Sequence, residues 1–102
     1  MTITIEFSLD AAAMLDEADE RWISEHGFAD DNPLLIEVVR AKALLRETPE
    51  LGLVYRRARF QRDVRRLLLR SGWHLYYTFD PERGVVVIIA VWFATRGSGP
   101  PL

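Results

Sequence analysis

Ten consecutive apolar residues, Val85 to Ala94, constrain this chain more than anything else in it. The run is about half of the roughly 20 residues that a membrane-spanning helix needs. It is rich in β-branched residues, which favour strands. A strand that is apolar at every position has no wet side. It is therefore a central strand covered on both faces, or one whose second face awaits a partner. The run passes through Thr95 into Arg96, Gly97, Ser98, Gly99, Pro100 and Pro101. That places an isolated cation at the rim of the sheet, followed by a stiff segment.

The segments before it supply what such a strand needs. Thr2 to Phe7 alternates strictly and predicts an edge or half-buried strand. Ser8 or Asp10 caps a first helix, whose apolar residues Ala11, Met14, Leu15, Ala18 and Trp22 recur at helical spacing up to Gly27. Asn32-Pro33 opens a second helix with the stripe Leu34, Val38, Ala41 and Leu45, and Thr48-Pro49 ends it. Beyond Gly52 the pattern is sheet: Val54 to Phe60, Val64 to Arg70, and Trp73 to Asp80 with Trp73, Leu75, Tyr77 and Phe79 on one side. Asp80-Pro81-Glu82-Arg83-Gly84 is a hairpin turn leading into the apolar run. The expected fold is a single α+β domain over residues 1–102. Its N-terminal strand and two-helix hairpin pack on a mostly antiparallel sheet of four to five strands, with the arginines turned away from the helices.

Charge divides the chain in two. Met1 to Gly52 carries twelve acids against four bases, a net of −8; from Leu53 onward nine arginines face three acids, a net of +6. Either one face of the fold meets an anionic partner, or the halves neutralise each other internally. There is no cysteine, so no disulfide framework or thiolate metal site is expected. His26 and His74 fall on different elements, which supports no metal centre, and no phosphate loop or Ser-His-acid set is present. The expectation is a protein without metal or cofactor, soluble and cytoplasmic, with neither secretory signal nor membrane span.

Three stretches carry a resemblance. "TPELG", Thr48 to Gly52, is a Pro-x-x-Gly joint. "VRRLLLRSGWHLYYTFD", Val64 to Asp80, is a basic strand, a Gly-aromatic turn and a strand of pattern His-Leu-x-Tyr. "VVVIIAVWFATRGSGPPL", Val85 to Leu102, is a last strand closing on an arginine and a Pro-containing tail. In this order they resemble the RelE/ParE superfamily of toxins from bacterial type II toxin–antitoxin modules, over nearly the whole chain. Phe93 and Thr95 depart from the family, in which polar or basic residues are common at those places.

The resemblance implies a growth-inhibiting toxin, of the plasmid-stabilisation type, that a small cognate antitoxin neutralises; operator DNA would be met only through that antitoxin. RelE-like members cleave messenger RNA on the ribosome, whereas ParE-like members block DNA gyrase. Cleavage by a 2′-hydroxyl needs a proton acceptor, a donor to the leaving oxygen and cations for the phosphorane. The matching inventory is thin: His74 with Arg65, Arg70 and Arg96, no tyrosine after Arg96, and a single lysine, Lys42, on a helix. The ParE-like reading, inhibition of DNA gyrase by binding, is therefore preferred to ribosome-dependent ribonuclease activity. The surface for target or antitoxin is expected to comprise Arg57, Arg59, Arg62, Arg66, Trp92, Phe93 and Arg96. A third class also fits the residues: a non-toxic relative that binds antitoxin or nucleic acid.

Overall fold

The computed structural model describes residues 2–56, 62–97 and 99–102. Strand β1 (Thr4–Phe7) leads into helix α1 (Leu9–His26), then α2 (Pro33–Glu47), and strands β2 (Leu53–Arg56), β3 (Val64–Leu68), β4 (Trp73–Asp80) and β5 (Val85–Phe93) follow. They form one five-stranded sheet of order β1-β5-β4-β3-β2, parallel only between β1 and β5. The all-apolar strand thus lies inside the sheet, as its composition demands. No helix among the described residues is long and apolar enough to cross a membrane.

Local chemistry fixes the helix ends. The Ser8 hydroxyl accepts the Ala11 amide at 3.0 Å, so Ser8, not Asp10, is the cap of α1. The Asn32 side chain accepts the Leu34 amide at 3.0 Å while its own amide reaches Asp19 at 3.3 Å, which ties the start of α2 to α1. On the far side of α2, the Glu37 carboxylate accepts from both the amide and the hydroxyl of Ser71. That bond pins the β3–β4 turn to the helix layer.

The helix-side core joins Ala11, Leu34, Val38, Ala41 and Leu45 to Leu75, Tyr77, Val86, Ile88 and Val91. A change of parity in β5 is hidden in that list. Tyr77 pairs with Ile88, but Tyr76 pairs with Ala90, so Ile89 is an extra residue in the strand. Val86 and Ile88 face the helices before this bulge; Val91 and Phe93 do so after it. Trp92 is thereby turned to the opposite face, across from His74.

One polar contact joins the two layers at their centre. Tyr77, fully buried, accepts the Gly52 amide on its hydroxyl at 2.7 Å. Gly52 is the last residue of the joint between α2 and β2, and a Cβ there would sit 2.8 Å from that hydroxyl and 2.9 Å from the Arg66 carbonyl. Only glycine lets the joint come this close. Arg65 closes the same joint: its guanidinium donates to the carbonyls of Glu50 (3.2 Å) and Gly52 (2.9 Å) and to the Glu50 carboxylate (3.1 Å).

Tyr77→Phe leaves the Gly52 amide buried without a partner and is expected to cost about 1–3 kcal/mol, read as a lower urea midpoint. Gly52→Ala is expected to cost more than Tyr77→Phe, because it displaces both the hydroxyl and the β3 backbone. An unchanged midpoint for Tyr77→Phe would show that the contact does not hold the layers together.

Candidate functional site

The face of the sheet away from the helices carries the residues of interest. Alternation places Arg66 on β3, His74 and Tyr76 on β4, and Trp92 on β5 on this side, since Arg66 pairs with Tyr76 and His74 with Trp92. Tyr55 of β2 meets Tyr76 edge-on at 4.9 Å, and the Arg66 guanidinium lies 5.2 Å from the Tyr55 ring. The His74 ring stands 6.3 Å from Tyr76. Burial and the adjacent Arg66 guanidinium both hold the His74 imidazole below the usual histidine range. It is therefore neutral near pH 7, with a lone pair to accept a proton or a hydrogen bond.

Arg96 follows β5 at the rim. Its guanidinium lies 4.5 Å above the Trp92 ring, and its carbonyl accepts the Trp92 indole N–H at 2.9 Å. The two contacts fix the arginine from both ends of the residue. Arg96 is exposed and makes no ion pair among the described residues. A guanidinium remains protonated in proteins, so at this place it can hold an anion but not move a proton.

Part of this face is already covered. Tyr76 is only 2% exposed and Ala90 is fully buried, yet neither belongs to the helix-side core. Residues 99–102 lie against β2 on this side: a Cβ on Gly99 would meet the Tyr55 hydroxyl at 3.1 Å, Pro100 is buried, and Arg56 donates to the Leu102 carbonyl at 3.2 Å.

The remaining sequence-predicted residues disperse. Arg65 lies on the helix side and is spent on the α2–β2 joint, contrary to the expectation that all arginines beyond Gly52 turn away from the helices. Arg70 lies at the β3–β4 turn, where it lines a cleft with Glu37 and Leu44. The four residues of the nuclease set are thus not brought to one place; His74 and Arg96 share the region around Trp92, and Arg66 takes the place beside His74. Arg62 pairs with Asp80 at 2.8 Å. Partial burial would raise the Asp80 pKa, but the amides of Arg83 and Glu82 together with Arg62 outweigh it and hold the carboxyl below its ordinary range. Trp92 and Phe93 fall on opposite faces, and Arg57 and Arg59 lie outside the described residues. Tyr55 completes the open-face cluster and was not singled out from sequence; its only signal is its place in a strand that pairs with the basic one.

No protein-family model and no curated protein matches the sequence. Solved structures do. A chain of the chromosomal ParDE TA system from P. aeruginosa is similar with a TM-score of 0.68 and 16% identity, over 90% of this chain and 96% of that one. A mutant of E. coli toxin RelE in the free state gives 0.60 and 19%, over 95% and 88%. The chain has the RelE/ParE toxin fold. A chain of the intact E. coli RelBE toxin-antitoxin complex gives 0.55 and 22%, over 94% and 100%. These identities carry the RelE/ParE architecture and nothing about chemistry, which rests on the residues above.

Arg66→Gln is expected to raise the His74 pKa toward its ordinary value, measured by NMR titration of the imidazole. Because the folded-state value is depressed, stability is unaffected above the ordinary histidine pKa and falls as pH drops from there toward the folded value. A His74 pKa that stays put or moves down in the variant would remove Arg66 as a cause.

Proposed function

We propose that this chain is the toxin of a type II toxin–antitoxin module, held harmless by a small antitoxin, and that it inhibits DNA gyrase by binding. The observation that carries this reading is Arg96: exposed, stacked on Trp92, without an ion pair among the described residues, and set at the rim of an aromatic and cationic face. Bond cleavage asks for general acid–base groups contributing about 10²–10⁴-fold, and among the described residues the tyrosines and the lysine are poorly placed to donate. Tyr76 is covered. Burial raises the Tyr77 hydroxyl pKa, the bond from Gly52 only partly offsetting it, so this tyrosine keeps its proton inside the core. Lys42 is on α2, in the other layer. The fold and the named toxin–antitoxin neighbours support the toxin class; that no acid partner stands beside His74 among the described residues supports binding over cleavage.

A second reading has one observation in its favour. A neutral His74 beside Arg66 is a base next to an anion holder, the beginning of a ribosome-dependent nuclease site. The two readings separate in one experiment. Expression of the unmodified chain is expected to arrest growth, and the purified protein to inhibit gyrase supercoiling. Arg96→Ala should weaken that inhibition about tenfold, the loss of one charge-assisted contact, while His74→Ala leaves it largely intact. RNA cleavage that vanishes with His74→Ala, with supercoiling untouched throughout, overturns the gyrase assignment.

A further inference from the structure

Opposite the open face, on the helix side, the second half of α1 and the ends of β4 and β5 enclose a cleft of about 510 Å³. Trp73 and Phe93 line it, their ring centroids 5.3 Å apart and their planes inclined at 59°. Arg21 and Glu25 of α1 and Arg96 stand around them. The adjoining inner space reaches Ala18 and Val91. Two backbone features set the aromatic pair on this side. The bulge in β5 turns Phe93 to this side, and Gly72 lies where a Cβ would come 3.2 Å from the Phe93 ring. Phe93 keeps 37% of its surface exposed.

The charges at this cleft select among occupants. Arg21 already pairs with Glu17 at 3.3 Å. Glu25 is a second carboxylate on the lining. A phosphate chain, with its several charges, would meet Glu17 and Glu25 here and, among the described residues, one guanidinium without an ion pair, that of Arg96. An apolar side chain followed by a single carboxylate satisfies everything present: the rings take the apolar group and Arg96 takes the charge. Aromatic residues and arginine are also the types in which binding hot spots are enriched. On a helix, residues four apart share a face, so one amphipathic acidic helix supplies both groups.

We propose that this cleft is the anchor point of the neutralising partner, an acidic amphipathic segment that packs an aliphatic side chain against the Trp73–Phe93 pair and places a carboxylate on Arg96. The inference rests on the toxin reading above and gives it a mechanism of restraint. Arg96 belongs to two surfaces at once, stacked on Trp92 at the edge of the open face and lining the cleft. A carboxylate that reaches it from the cleft cancels the charge offered to the target while leaving the open face itself unoccupied.

The test uses a short helical peptide of alanine, leucine and glutamate, with leucine and glutamate four residues apart, and its isomer with lysine at every glutamate. Indole N–H signals are followed by NMR on the full chain, with Trp22 as the control. The glutamate peptide is expected to shift Trp73 and Trp92 but not Trp22, and to bind about tenfold tighter than the lysine peptide. Arg96→Gln and Phe93→Ala, with unchanged circular dichroism, should each weaken it about tenfold. No binding, equal binding of the two peptides, or indifference to both substitutions overturns the proposal. Growth arrest by the unmodified chain is scored separately. A chain that binds the peptide yet leaves growth normal refutes the toxin reading, and one that arrests growth but ignores the peptide refutes the anchor.

Discussion

The hydrogen bond from the Gly52 amide to the Tyr77 hydroxyl is the constraint on which the two faces of this protein depend. It lies where the helix layer hands over to the sheet, and it requires a tyrosine buried in β4 and a residue without a side chain in the joint. A buried tyrosine without a partner would cost stability, and so would an unsatisfied amide; together they cancel each other's need. Arg65 reinforces the same joint by accepting the role of a structural donor to two carbonyls. With the joint fixed, β2 and β3 take their register against β4, and the open face acquires a defined row of Tyr55, Arg66, Tyr76 and His74.

The bulge in β5 then divides one apolar strand between two tasks. Residues before and after it both feed the helix-side core, yet the shift of parity sends Trp92 outward and Phe93 inward. Arg96, a few residues on, sits between the two environments that these aromatics create. A strand without the extra residue would put Trp92 among the helices and remove both the stack on the open face and the aromatic pair in the cleft.

Much of this was legible in the sequence. Helix starts were marked by Ser8 or Asp10 and by Asn32-Pro33, the hairpin by Asp80 to Gly84, and the interior position of β5 by its unbroken apolar run. The resemblance of Thr48 to Gly52, Val64 to Asp80 and Val85 to Leu102 to the RelE/ParE toxins led to the architecture that the solved structures share. What escaped has physical reasons. In a strand apolar on both faces, alternation carries no information about which face is which, so the bulge left no trace. Arg65 reads like its neighbours in a basic strand, because the length of an arginine lets it reach inward contacts that composition does not reveal. The return of residues 99–102 over Tyr55 depends on the shape of a surface that forms only after the sheet does.

That return has a consequence for any measurement made on the open face. A segment tethered beside its own docking surface competes with external molecules as an intramolecular ligand. An external molecule that needs the ground over Tyr55 therefore competes with residues 99–102, and its apparent dissociation constant equals the intrinsic one divided by the fraction of molecules in which those residues are off. Two proteins with identical residues on that face, differing only in how firmly Gly99 to Leu102 lie down, would display different affinities for the same target.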